Sequence, residues 1–159
     1  MIRTLFICIV LLLPYEAFAG QWLIEAHASK AYILGPQEEI GDTYVGLGLN
    51  YALRDDIELF GRVEIAVDGL KERTGAIGAK YYLSPYSFVA PYVQSALLWQ
   101  VKPESAFGGR AGAGLRFNIG KWLGGNAVFM TAETGVNQLF DSDSTTSWDI
   151  WRVAFQFGL

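Results

Sequence analysis

Cysteine is nearly absent from this chain, and the one thiol, Cys8, lies in a segment that stands apart from the rest. It falls within an apolar run, residues 5–13, that follows Arg3 and is broken by Pro14. A positive start, a short apolar core and the small-x-small triplet Ala17, Phe18, Ala19 are the parts of a secretory signal peptide. Residues 1–19 are therefore expected to be a leader cleaved after Ala19, and residues 20–159 the mature domain. The run is short for crossing ~30 Å of hydrocarbon, so an uncleaved anchor is the poorer reading. Lipidation of Cys8 does not fit either, because the residue sits in the middle of the apolar run and not after it. The mature part then holds no thiol, which excludes disulfides and cysteine metal sites from it.

Positive charge and long hydrophobic runs are scarce as well. Of 12 basic and 16 acidic residues, Arg3 and Glu16 belong to the leader, which leaves 11 against 15 and a net charge of −4. That balance gives no electrostatic footprint for nucleic acid. The chain is 52% hydrophobic and 14% aromatic, yet after the leader it has no stretch of ~20 apolar residues that could form a spanning helix. The other structure that can cross a bilayer is a closed β-barrel, whose signal per segment is much weaker.

Alternation is what the mature sequence does contain. In residues 21–30, Trp22, Ile24 and Ala26 oppose Glu25, His27 and Ser29. In residues 43–53, Val45, Leu47 and Leu49 oppose Gly46, Gly48 and Asn50. The third segment sets Ile57, Leu59, Val63 and Ile65 against Glu58, Arg62 and Glu64; the fourth, residues 74–83, sets Ile77, Ala79 and Tyr81 against Gly78 and Lys80. In the fifth, residues 88–100, Gln94 places Val93, Leu97 and Trp99 on the outward face. The sixth opposes Phe107, Ala111 and Leu115 to Arg110, Gly112 and Arg116; the seventh opposes Val128, Met130 and Val136 to Thr131, Glu133 and Asn137. The last opposes Trp151, Val153, Phe155 and Phe157 to Arg152, Ala154 and Gln156. A period of two makes each segment a two-faced strand. Eight strands of about ten residues predict an all-β, eight-stranded, antiparallel up-and-down transmembrane barrel. Tight turns are expected at residues 54–56, 84–87 and 120–125. Longer polar loops are expected at 31–42 and 138–147, with intermediate ones at 68–73 and 101–106.

A soluble barrel would also alternate, but with its apolar face inward. Three features favour a membrane. Aromatics fall at strand ends: Trp22, Tyr51, Tyr81, Tyr82, Phe88 and Phe117 near the short turns, and Tyr32, Tyr44, Trp99, Phe107, Phe140, Trp148 and Trp151 near the loops. Such girdles mark the two lipid–water interfaces. The polar face is rich in glycine, which suits a crowded, narrow lumen. Its charges also nearly balance: Glu25, Glu58, Glu64 and Glu133 against Arg62, Lys80, Arg110, Arg116 and Arg152. Charges inside a narrow barrel must be paired or cost several kcal/mol each, so these nine residues are expected to form a network that plugs the lumen.

The leader, the segment TYVGLGLNY from Thr43, the segment APYVQSALL from Ala90 and the closing WRVAFQF from Trp151 resemble small bacterial outer-membrane barrel proteins, of which the OmpA transmembrane domain is a familiar member. That resemblance implies an outer-membrane location, outer-membrane lipids including lipopolysaccharide as surroundings, and a last strand recognised by the barrel-assembly machinery. Phe155 and Phe157 match the aromatic alternation of that signal, and Leu159 departs from its usual terminal phenylalanine. A monomer without cofactor or metal is expected, and with the sequence ending at Leu159 no periplasmic peptidoglycan-binding domain like OmpA's.

Candidate chemistry is sparse. His27 is the only histidine, with Glu25 and Ser29 two residues to either side on one strand face. Carboxylate, base and hydroxyl are the parts of a hydrolase triad, and the lipid A 3-O-deacylase family resembles this chain in size and uses a His-x-Ser pair with a glutamate. In that family the pair lies late in the chain and is followed by asparagine; here it lies in the first strand and Lys30 follows, so the site does not carry over. Same-face neighbours on one strand are also ~7 Å apart, beyond hydrogen-bond reach. A partner from a neighbouring strand stays open: if the eighth strand pairs with the first, Ser147, Trp148 or Asp149 is expected near the His27 end. Asp141, Asp143 and Asp149 do not match a calcium loop and read as a solvated extracellular loop. The Gly-x-Gly pairs have strand period and are no nucleotide fingerprint. The reading is a non-catalytic barrel with an envelope role; a lipid acyl hydrolase and a small pore are the alternatives.

Overall fold

The computed structural model describes residues 19–34, 39–67, 73–102, 105–120, 127–140 and 146–159. The expected leader, apart from Ala19, and most of the turn at residues 120–125 lie outside these. Eight strands follow in chain order: β1 (Trp22–Leu34), β2 (Glu39–Arg54), β3 (Ile57–Ala66), β4 (Arg73–Tyr82), β5 (Val89–Lys102), β6 (Ala106–Asn118), β7 (Val128–Phe140) and β8 (Thr146–Gly158). Each pairs antiparallel with its chain neighbours, and β8 returns to β1 to close the barrel. Closure leaves no strand edge unpaired, which is the condition for placing a sheet in hydrocarbon. Among the described residues no helix is long and apolar enough to cross a membrane, so the strands carry that role.

The two faces divide by polarity in the reverse of a water-soluble protein. Leu47, Val63, Ile77, Leu97 and Phe107 are all more than half exposed on the outside. Glu25, Glu58, Arg62, Lys80 and Glu133 are buried inside. Exposing this much aliphatic surface is stable only where the surroundings are themselves apolar, and the reversal identifies a membrane-spanning wall. Trp22, Tyr81, Phe88, Phe107, Phe140, Trp148 and Trp151 project outward near the strand ends, where their amphipathic rings suit the headgroup regions. The Trp22 and Tyr51 rings pack at 4.8 Å between centroids across β1 and β2. On the outer wall the Trp99 ring lies over Gly75, its partner across β4 and β5; any side chain at Gly75 would collide with the indole.

Several sequence expectations differ from the structure. Most of residues 31–42 is strand and not loop: β1 extends to Leu34, and the ladder continues through Tyr32 with Ile40 and Ile33 with Glu39. Likewise β7 and β8 pair out to Gln138 with Thr146, inside the expected 138–147 loop. Backbone pairing needs no apolar alternation, so ladders run on past the point where the pattern fades. Tyr82, expected in the outer girdle, is fully buried in the lumen. Adjacent residues on a strand face opposite ways, and Tyr81 takes the outward place.

Candidate functional site: the lumen network

The lumen is organised by the period-two geometry of its strands. β1 contributes Glu25, His27 and Ser29; β3 contributes Glu58, Arg62 and Glu64; β4 contributes Lys80; β6 contributes Arg110 and Arg116; β7 contributes Glu133; β8 contributes Arg152. In register Glu58 stands opposite Lys80, and Glu133 opposite Arg152. Pairing thus begins in the backbone ladder, before any long side chain reaches across the barrel.

Near the short turns Lys80 Nζ lies 2.8 Å from Glu58 Oε1 and Arg116 Nη1 lies 3.6 Å from Glu58 Oε2. The Tyr82 hydroxyl donates to the same carboxylate at 3.0 Å. The Arg116 guanidinium stacks 3.8 Å from the Tyr82 ring centroid and 4.8 Å from that of Phe129, which gives its charge a second kind of partner. At mid-height Arg62 bridges two acids, with Nε 2.7 Å from Glu25 Oε1 and Nη1 2.8 Å from Glu133 Oε1. Tyr92 donates to Glu133 at 2.6 Å, and Gln156 donates to Glu25 at 2.9 Å and Glu58 at 3.1 Å. Toward the loops Arg152 reaches Glu64 at 2.7 Å and Asp149 at 3.2 Å. Arg110 pairs with Asp149 and, at 3.3 Å, with Glu133. All nine residues singled out as lumen charges therefore lie inside the barrel, each within ion-pair distance of at least one other lumen charge. Bidentate and multiply hydrogen-bonded pairs of this kind can repay the desolvation of burial, which single contacts do not.

Asp149 is a correction. It is expected in a solvated loop with Asp141 and Asp143, which fall outside the described residues; Asp149 is instead buried in β8, facing the lumen. The cause is a bulge. Lys30 pairs with Trp151 and Ala31 with Asp149, so β8 carries one extra residue at Ile150. Ile150 and Trp151 both face outward, and the alternation is inverted beyond them. The amides Asn50 and Gln94 face inward as expected, whereas the lumen aromatics Phe60, Tyr92 and Phe129 are not singled out by the sequence, although all three occupy inward positions of their strands. Their parity was the available signal.

The expected neighbourhood of His27 is also corrected. β8 does pair with β1, but His27 stands opposite Ala154, while Ser147, Trp148 and Asp149 pair with Ile33, Tyr32 and Ala31 toward the loop end. The imidazole instead lies between two carboxylates, with Nδ1 3.3 Å from Glu25 and Nε2 3.0 Å from Glu64. Neither ring nitrogen is directed to the Ser29 hydroxyl, which is buried without a hydrogen-bond partner. No group of histidine and carboxylate ligands suited to a metal ion occurs among the described residues. At the loop end a small cavity of about 70 Å³ is floored by Glu64, Arg110, Asp149 and Arg152.

No protein-family model matches the chain, and neither does any curated protein. Solved structures do. The N-terminal β-barrel domain of Pseudomonas aeruginosa OprF superposes with a TM-score of 0.66 at 18% identity, over 90% of this chain and all of that one. A de novo designed transmembrane β-barrel gives 0.56 at 13% identity, over 91% and 99%. Ail, the attachment invasion locus protein of Yersinia pestis, gives 0.56 at 14% identity, over 89% and 100%. Likeness at these identities is one of fold. The closed ladder, the apolar exterior and these neighbours together give the chain the fold of the eight-stranded outer-membrane β-barrels.

Proposed function

We propose that this protein is a non-catalytic, monomeric barrel of a bacterial outer membrane, with a lumen closed by ion pairs and a structural role in the envelope. The observation that supports this reading is the lumen itself. Five carboxylates, Glu25, Glu58, Glu64, Glu133 and Asp149, face five fixed cations, Arg62, Lys80, Arg110, Arg116 and Arg152, across the bore. Aromatic rings fill the space between them. A conducting channel needs mobile water and ions along its axis, whereas here the charges are buried against each other. Outer-membrane lipids, lipopolysaccharide included, would cover the exposed aliphatic belt. The barrel-assembly machinery would read the aromatic alternation of Phe155 and Phe157. Membrane fractionation should recover the protein with the outer membrane, and the folded form should migrate differently on a gel before and after heating. Recovery as a soluble periplasmic protein would end this reading.

The acyl-hydrolase alternative loses its support at His27. A general base must lie within hydrogen-bond reach of its nucleophile; the His27 nitrogens lie beside Glu25 and Glu64, and the Ser29 hydroxyl has no hydrogen-bond partner. Refolded protein incubated with lipid A and phospholipids should release no fatty acid. Release that disappears in both His27→Ala and Ser29→Ala would reinstate the enzyme.

A further inference from the structure

The wall outside the lumen carries few cations, and they are placed unevenly. Among the described residues they are Lys30, Arg54 and Arg73. Arg54, beside a short turn, is held by both carboxylate oxygens of Asp56 at 2.9 Å. Lys30 and Arg73 lie toward the loop ends of β1 and β4. Lys30 donates to the Thr43 hydroxyl at 3.2 Å, a partner that leaves its charge uncompensated. Arg73 is exposed and, among the described residues, has no carboxylate within ion-pair reach. Every lumen cation has one.

Arg73 opens β4, with the outward-facing Ile65 opposite it on β3 and Lys102 opposite it on β5. Like charges in opposed ladder positions destabilise a sheet, and an anion at that point would relieve the repulsion. Next to Arg73 the outer wall is hollowed. A groove of about 600 Å³ runs over β2 to β5, lined by Val45, Leu47, Val63, Ile65, Trp99 and Val101, with Arg73 at its loop end. Gly75 stands between Val63 and Trp99 in the outward row and adds no side chain; the indole lies over it and forms one flank of the groove. The acid among the lining residues, Glu64, turns its carboxylate into the lumen, onto Arg152 at 2.7 Å. The groove is therefore apolar along its length and cationic at one end.

An apolar groove on a membrane wall suits an acyl chain, and a guanidinium matches phosphate oxygens in a bidentate fork. We propose that this groove is a site for one phosphate-headed lipid of the leaflet at the loop end, with its phosphate on Arg73 and an acyl chain against Val63 and Trp99. The proposal rests on the outer-membrane barrel reading and deepens it, since one lipid is held at a fixed place on the aliphatic belt. Lys30 supplies the contrast: it has an uncompensated charge and lines no part of the groove.

The test uses refolded protein in detergent micelles, titrated with dioleoylphosphatidic acid or with dioleoylphosphatidylcholine, which share their acyl chains. Native mass spectrometry reads the lipid that stays bound. The wild type should retain about tenfold more phosphatidic acid than phosphatidylcholine, a ratio within what one charge-assisted hydrogen bond supplies. Arg73→Gln should lose most of that preference, and Lys30→Gln should keep it. Val63→Trp, which fills the groove and leaves Arg73 in place, should retain less phosphatidic acid than the wild type. Equal retention of the two lipids by the wild type overturns the proposal. So does a preference that survives Arg73→Gln, one that falls as far in Lys30→Gln, or full retention by Val63→Trp. Heat-modifiable migration checks the fold of each variant; if Arg73→Gln does not refold, the two-lipid comparison in the wild type decides alone. Location is read separately by membrane fractionation, so the lipid site and the outer-membrane reading can fail independently.

Discussion

Glu133 shows what a single residue does in this lumen. It takes Arg62 at 2.8 Å, Arg110 at 3.3 Å, Arg152 at 3.5 Å and the Tyr92 hydroxyl at 2.6 Å. Replacing it with alanine takes one acid from each of three buried guanidinium groups, and breaking a buried pair by removing one partner costs about 3–5 kcal/mol. Urea titration of the refolded Glu133→Ala protein should show that loss, while Glu133→Gln, which keeps hydrogen bonding, should lose less. Gly46 makes the opposite point, since its contribution is to be small. Gly46→Ala would press a methyl group against His27 and the Val63 carbonyl, and such overpacking costs about 1–3 kcal/mol. The sign of each of the nine lumen charges could be read from composition and parity. Which acid meets which base could not, because the pairs join strands as far apart as β3 and β7, and period two says nothing about distance across the bore.

At the scale of the strand, alternation carried nearly all the information, and it failed where a strand is irregular. β2 and β6 were legible because Val45, Leu47 and Leu49, or Ala111, Ala113 and Leu115, repeat without interruption. β8 was legible from Trp151 onward and misread before it, because the extra residue at Ile150 inverts the pattern and turns Asp149 into the lumen. The same bulge gives a prediction. Deleting Ile150 removes the extra residue and leaves Asp149 inward, Trp151 outward and Arg152 inward in simple alternation, so the lumen partners of Asp149 are kept. Ile150→Asp instead keeps the bulge and turns a carboxylate toward hydrocarbon, which is costly. The deletion variant should still give a heat-modifiable folded band, whereas Ile150→Asp should weaken or lose it.

For the whole molecule, inside-out polarity is the feature that residues and strands add up to. An apolar exterior of Leu, Val, Ile and aromatic side chains surrounds an interior in which five acids and five fixed bases are enclosed together, all but the half-buried Glu64 fully buried. The exterior follows from the sequence pattern and requires a membrane. The interior decides between a closed barrel and a pore, and it rests on side chains that only the closed fold brings together. Planar-bilayer recording of the purified, refolded protein tests that interior most directly. Paired, aromatic-filled lumen charges predict little or no steady conductance in the wild type; large, stable, open channels would contradict the closed lumen and make the protein a pore.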